Sequence, residues 1–297
     1  MSSFLNKNSY SKFEWTLMKS SFSLIWMLSF LLIFSRYNYA PTPESIFKLL
    51  PGNFYLSFDA KIFILSTNLL LIYFYIIEKH IWWSLLGLSL ISLFAFSLED
   101  SNSDFNRNTM ITGIFFAQFF AYSIKKIYLD FDIEKYRIQF SIQLISVSYT
   151  ISAISKLNTS GLKWITDGLL MPLQIMKTNY FGFVNDGNIA HITNARHIIN
   201  LLDKYSLGVM FVLAFTLIIE LFAVISIINK KSAFVYGVLL IFMHIGIYLI
   251  LDVAIAGTYI PMLIFMVNPV FIFWIILKAL KNYITTALGN NDKANTY

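Results

Sequence analysis

Ionisable side chains inside a membrane are costly, so each one that interrupts an apolar run is a functional candidate. Glu220 stands in the middle of Leu217-Ile-Ile-Glu-Leu-Phe-Ala223, and His244 in the middle of Ile241-Phe-Met-His-Ile-Gly246. Lys156 closes a third pattern, in which Gln139, Gln143, Ser146, Tyr149, Ser152 and Lys156 recur at three- or four-residue steps. That spacing places all six on one helical face, which cannot be turned to lipid. A lysine held in an apolar site can act as a general base, and a histidine can pass or hold a proton. The chemistry these residues would support is therefore acid–base work, with Lys156 as base, His244 as proton partner and Glu220 holding the histidine. Gly237, His244, Tyr248 and Asp252 recur at seven, four and four residues, so they share a stripe in which the glycine admits a close neighbour. The plainer reading of Glu220 and His244 is interhelical hydrogen bonding that only holds a bundle together. For Lys156 it is snorkelling to the interface.

These residues must be carried by membrane helices. The 297 residues are 57% hydrophobic, 18% aromatic and only 13% charged, with a mean hydropathy of +0.66. A soluble domain carries about a quarter charged residues, so a soluble globule, a disordered chain and a free nucleic-acid-binding domain are excluded. Continuous apolar runs favour helices over a β-barrel, whose strands alternate. Eight spans are expected at about 17–35, 61–77, 81–98, 109–124, 138–156, 206–228, 232–251 and 256–277, the second and fourth short enough to tuck beside neighbours. The fold class is thus an all-α, polytopic membrane bundle forming a single domain over 1–297. The first run is expected to be an uncleaved anchor, since Tyr39 spoils a small-residue cleavage pattern before Ala40. The numerous Phe, Tyr and Trp are expected mostly to face lipid or form interfacial belts.

Alternate loops give the orientation. With a cytoplasmic N-terminus, thirteen Lys and Arg lie inside and nine outside, and five of the nine belong to one long connection. Long loops weigh little in this rule, so both termini are expected in the cytoplasm. The net charge of +6 reads as that topology signal, with Lys125-Lys126 a part of it. The long connection, 157–205, is the unusual one: it holds Trp164, Pro172, His191, Arg196 and His197, and loops of that length are functional or disordered. Its patch Gly168-Leu-Leu-Met-Pro-Leu-Gln-Ile-Met176 is too short to span and reads as a re-entrant or interfacial helix on the outer face. His191 and His197 are six apart, not a same-face spacing for two ligands, so no metal is expected there. The absence of cysteine removes disulfides, thiolate metal sites and a cysteine nucleophile. Four Arg against eighteen Lys, with abundant Ile, Asn, Phe and Tyr, fits an AT-rich bacterial gene and hence a multi-pass protein of a bacterial plasma membrane.

Tyr149-Thr-Ile-Ser-Ala-Ile-Ser-Lys156-Leu157, followed by Lys163-Trp164 and Gly168, resembles the Tyr…Ala-Gly-x-Lys-Lys-Leu…Trp…Gly signature of HTTM proteins. These are bacterial relatives of the membrane domain of vitamin K-dependent gamma-glutamyl carboxylase. The acidic residue of span six, the histidine of Phe242-Met-His244, and Asn106-Arg-Asn-Thr-Met-Ile-Thr-Gly113…Gln118 agree in order and spacing. The resemblance implies that Lys156 matches the base associated with oxidation of vitamin K hydroquinone, and that Tyr149, Trp164 and Asn108 line the binding side of the same site, to which the stripe of span seven adds Tyr248. Asn108 stands where the family has a further histidine, which counts against carboxylase or epoxidase activity. The large lumenal domain of the carboxylase is not expected, because the chain ends about twenty residues after its last span. Within the family, the length, the eight-span plan and the basic N-terminus are similar to B-type maturation components of sporulation-delaying toxin systems.

The leading expectation is a membrane-embedded factor for maturation or export of a secreted, toxin-like peptide, with its working site on the outer side and companion maturation proteins as partners. A carboxylase-like, quinone-coupled enzyme is the second; its cofactor would be a quinone, for which the sequence holds no fingerprint. A non-enzymatic scaffold or immunity protein is the third. Transport is a weaker fourth, since no inverted repeat or paired broken helices are visible.

Overall fold

With no water to satisfy a bare backbone, apolar runs of about twenty residues are stable in lipid as helices. The computed structural model, which describes residues 10–36, 57–101, 109–166, 170–251 and 256–294, contains helical elements and no strand among those residues. In chain order they are α1 (Lys12–Arg36), α2 (Phe58–Ile76), α3 (Ile81–Ser101), α4 (Thr109–Ile127), α5 (Ile133–Ser160), α6 (Lys163–Thr166), α7 (Leu170–Asp186), α8 (Ala190–Lys204) and α9 (Ser206–Leu221). A 3-10 segment (Ala223–Ile227), α10 (Lys230–Leu251), α11 (Ala256–Met262), a π segment (Leu263–Val267) and α12 (Pro269–Ala294) follow.

Among the described residues, six helices are long and apolar enough to cross a bilayer: α1, α2, α3, α5, α10 and the run Thr258–Asn282. The pair α8 and α9, bent by 89°, makes a seventh if taken as one span. The expected fourth span, α4, falls below that mark. Its last turn carries Lys125 and Lys126, and its buried face of Ile111, Thr112, Ile114, Phe115, Gln118 and Ala121 packs against protein. A helix held inside a bundle needs less hydrocarbon than one facing lipid.

The first helix is a core element. Trp15, Met18, Phe22, Trp26, Phe30 and Ile33, spaced by three and four residues, form one fully or nearly fully buried seam. Phe22 meets Phe115 and Phe265 at centroid distances of 4.9 and 5.1 Å. This seam turns inward, while Phe63, Trp83, Phe120, Phe211 and Phe242 are among the rings exposed on the outside of the bundle. Polar links cross the same core: Trp26 Nε1 donates to Asn68 Oδ1 at 3.0 Å, Tyr75 donates to Gln118 Oε1 at 2.7 Å, and Gln118 Nε2 donates to Ser141 Oγ at 3.1 Å.

Two expected spans are interrupted. Residues 206–228 form α9, break at Phe222 and tighten into the 3-10 segment. Residues 256–277 pass from α11 through the π segment to Asn268, which has φ +51°, before α12 begins at Pro269. Proline has no N–H and disfavours helical geometry in the residue before it, while asparagine tolerates the left-handed region. Both interruptions pack on α10. Gly237 makes one of these contacts possible, since a Cβ there would lie 2.6 Å from the Met266 Cβ; this is the close neighbour expected of that glycine. The connection at 157–205 is not a long irregular loop. Its described residues fold into α6 and a hairpin of α7 and α8, with α7 longer than the short patch expected at 168–176.

One end of the bundle gathers ion pairs. Glu78, on the turn from α2 to α3 with φ +57°, accepts from Trp15 Nε1 and Lys19 Nζ, both at 2.6 Å, and lies 3.4 Å from Arg137 Nη1. Arg137 also pairs with Glu134 at 2.6 Å and stacks over Trp15. Burial raises the Glu78 carboxyl, but the Lys19 hydrogen bond, the Arg137 and Lys19 charges and the Trp15 hydrogen bond outweigh it, so the net direction is below the ordinary carboxylate value. Nearby, Lys230 pairs with Glu14, both buried. Lys19, Arg137 and Lys230, counted above as loop charges, are thus buried in specific pairs.

Candidate functional site

The polar stripe of α5 faces the interrupted sixth span. A 3-10 turn does not reproduce the i to i+4 ladder, so the end of α9 has carbonyls that need donors from elsewhere. Gln139 Nε2 donates to the Ile227 carbonyl at 2.7 Å, Thr150 Oγ1 lies 3.4 Å from the carbonyls of Glu220 and Leu221, and Ser146 is hydrogen-bonded to Ser226. The lower and middle parts of the stripe therefore hold the broken helix.

The upper part holds ionisable groups. Lys156 Nζ lies 2.7 Å from Glu220 Oε1 and 2.5 Å from Oε2, a two-oxygen contact between α5 and the last turn of α9. The Glu220 side chain is 6% exposed and that of Lys156 26%, so the carboxylate is enclosed while the ammonium retains a way out. The Trp164 ring of α6 faces the ammonium, its centroid 5.1 Å from Nζ. Seven residues back along α5, Tyr149 is hydrogen-bonded through its hydroxyl to Nε2 of His244, with the rings edge to face. Two helical turns separate Tyr149 from Lys156, about 10 Å along one face.

Of the residues expected at a site, Tyr149, Lys156, Trp164, Glu220 and His244 come together. The pairing differs from the expectation in one respect. Glu220 holds Lys156, and the histidine is held by Tyr149. An enclosed carboxylate gains most from a full opposite charge, which lysine offers and a neutral imidazole does not. Tyr248 is 51% exposed, and no hydrogen bond among the described residues ties it to the pairs. Asn108, like Asp252 of the α10 stripe and Gly168 of the connection, lies outside the described residues. His191 is paired with Asp186 at 2.9 Å, in the tip of the α7–α8 hairpin.

Sequence reasoning missed Thr150 and Ser226. Thr150 lies one residue off the stripe, and Ser226 sits in the apolar run Leu221–Ile228; only knowledge of the break at Phe222 would have singled them out. Chemically, the arrangement offers an amine against an enclosed carboxylate and a phenol against an imidazole, four groups able to hold or move protons in a largely dehydrated place. Comparison with protein-family models, with curated proteins and with solved structures finds no match.

Proposed function

We propose that the protein is a bacterial plasma-membrane factor for maturation or export of a secreted peptide, with Lys156, Glu220, Tyr149, His244 and Trp164 as its working site. The six helices that meet the length and apolarity needed to cross, together with α4 and α9, make eight crossings. The ion-paired end is then cytoplasmic by its excess of lysine, both termini lie there, and the site faces outward. The observation that carries the reading is the Lys156–Glu220 pair faced by the Trp164 ring. Lys156 lies nineteen residues beyond Arg137 on α5, about 28 Å from the ion-paired end, where it is reachable from outside while its partner stays enclosed. In this role Lys156 becomes the proton acceptor once its ammonium has passed a proton to the Glu220 carboxylate that holds it, and Tyr149 with His244 supplies or removes a second proton. The signature around Lys156 that resembles HTTM proteins supports the same residue on separate grounds.

The two interruptions packed on α10 would favour transport if their free carbonyls were open to an ion. In the sixth span the Ile227 carbonyl is taken by Gln139, which counts against it. The test is intact-mass analysis of peptides secreted by the host in wild type, a deletion strain and a Lys156→Met strain with matched protein abundance. A product mass lost or shifted in both mutants is the expected result. A change in the deletion alone would make the protein a scaffold, and no change in either would remove the peptide role.

A further inference from the structure

The hairpin of α7 and α8 has two unlike outer faces. Its tip is tightly built: a Cβ at Gly182 would lie 2.9 Å from the His191 ring, and Asp186 Oδ1 accepts from the Asn188 N–H at 2.9 Å. On α8 the exposed residues are mostly polar, among them Asn194, Arg196, His197 and Asn200, with Leu201 the one large apolar side chain exposed, while Ile192, Ala195, Ile199 and Leu202 are more buried. On α7 the exposed arc is apolar. Leu173, Tyr180, Phe181 and Val184 are 57–67% exposed, with Lys177 as the one charge among them. At about 100° per residue these five positions fall within an arc of about 100°. The opposite side of α7, with Ile175 and Asn179, is already buried.

Two observations identify what covers this arc. First, α8 meets α9 at 89°; if α9 crosses the bilayer, α8 and the α7 that returns along it lie in the membrane plane. Secondly, exposed apolar side chains follow the bend as well, with Tyr205 and Leu207 at it and Phe211 and Phe215 further along α9. Tyrosines at the headgroup level, a basic side chain able to snorkel and an apolar face below are the marks of an interfacial helix.

We propose that the α7–α8 hairpin is a lipid-binding element. The arc of Leu173, Tyr180, Phe181 and Val184 is immersed in the acyl boundary of the adjoining leaflet, Lys177 reaches its phosphates, and the polar face of α8 is turned to water. The inference does not rest on the peptide role. It does place the leaflet beside Trp164, which lies on α6 just ahead of the hairpin, so an amphipathic substrate would arrive laterally from lipid.

Because the chain has no cysteine, single substitutions can carry a nitroxide without background. Leu173→Cys, Val184→Cys, Asn194→Cys, Asn200→Cys and Phe211→Cys, each spin-labelled and placed in nanodiscs of phosphatidylethanolamine and phosphatidylglycerol, would be compared by power saturation with oxygen and with a water-soluble nickel chelate. The expected result is a reversal: oxygen over nickel at 173, 184 and 211, nickel over oxygen at 194 and 200. Nickel accessibility at 173 and 184 equal to that at 194 would overturn the proposal and make the arc a water-facing docking surface. Low accessibility to both probes would mean that protein, such as a second copy, covers it, and nickel accessibility at 211 would remove the premise that α9 crosses.

Discussion

The Lys156–Glu220 pair allows stability and function to be separated by one thermodynamic cycle. In Lys156→Met the Glu220 carboxylate, 6% exposed, loses its counter-charge in an enclosed site, and breaking such a pair from that side costs about 3–5 kcal/mol. In Glu220→Gln the remaining ammonium, 26% exposed, still has the Trp164 face and can turn toward the interface, so the cost falls to about 1 kcal/mol. Lys156→Met/Glu220→Gln leaves no enclosed charge, and its loss should return to about 1–2 kcal/mol, a coupling of about 3 kcal/mol, the upper end for a direct contact. Reversible unfolding in mixed micelles, followed by tryptophan fluorescence, reads all three variants. Product formation per folded molecule is measured alongside. The double variant should regain most of its stability and none of its product formation. Single losses that are equal and add within about 0.5 kcal/mol would show that the pair is not made. A double variant that regains both stability and product would reduce the pair to packing.

Gly237→Ala forces a Cβ to within 2.6 Å of the Met266 side chain and 3.1 Å of Val267, an overpacking that costs about 1–3 kcal/mol. Gly246→Ala on the same helix meets nothing within 4 Å, so its melting temperature should stay at the wild-type value while that of Gly237→Ala falls. Glu78 has a carboxyl held below its ordinary value of 4.5, so its contribution is fully present above that pH and is lost as pH falls through the folded value. The melting temperature of wild type should therefore decline below about pH 4.5 more steeply than that of Glu78→Gln, and parallel profiles would refute the ion-paired geometry at that end.

The helical class and most span positions were legible because twenty-residue apolar runs admit few alternatives. The site residues were legible for a related reason: Glu220, His244 and Lys156 are among the few ionisable groups that such runs tolerate. Partner choice was not legible. Nothing in Leu217–Ile228 marks Phe222 as a break, since the segment has neither Gly nor Pro, and the break decides which way Glu220 points. The second interruption did carry a signal, Asn268-Pro269, but continuous hydropathy across it masked the change of helix. Composition likewise could not show that Trp15, Phe22 and Trp26 face inward, because a lipid-facing and a core-facing aromatic look alike to a hydropathy scale and differ only in what the neighbouring helices present.

The α5 stripe then does two jobs that a single sequence pattern joins. Toward its start Gln139 meets the Ile227 carbonyl and Ser146 the Ser226 hydroxyl of the 3-10 segment; Tyr149 and Lys156 hold the groups of the candidate site. Gln139→Leu removes the 2.7 Å hydrogen bond to the Ile227 carbonyl, and an unmet buried acceptor costs about 1–3 kcal/mol. Tyr149→Phe removes the partner of His244, with a loss of the same order, about 1–3 kcal/mol. The two variants should therefore be alike in unfolding and unlike in function, with product per folded molecule kept in Gln139→Leu and lowered in Tyr149→Phe. Equal loss of product in both, at matched folded protein, would mean that the position of the broken helix limits the site as much as its protonatable groups do. Equal retention in both would place Tyr149 and His244 with the packing, leaving Lys156 and Glu220 to carry the chemistry.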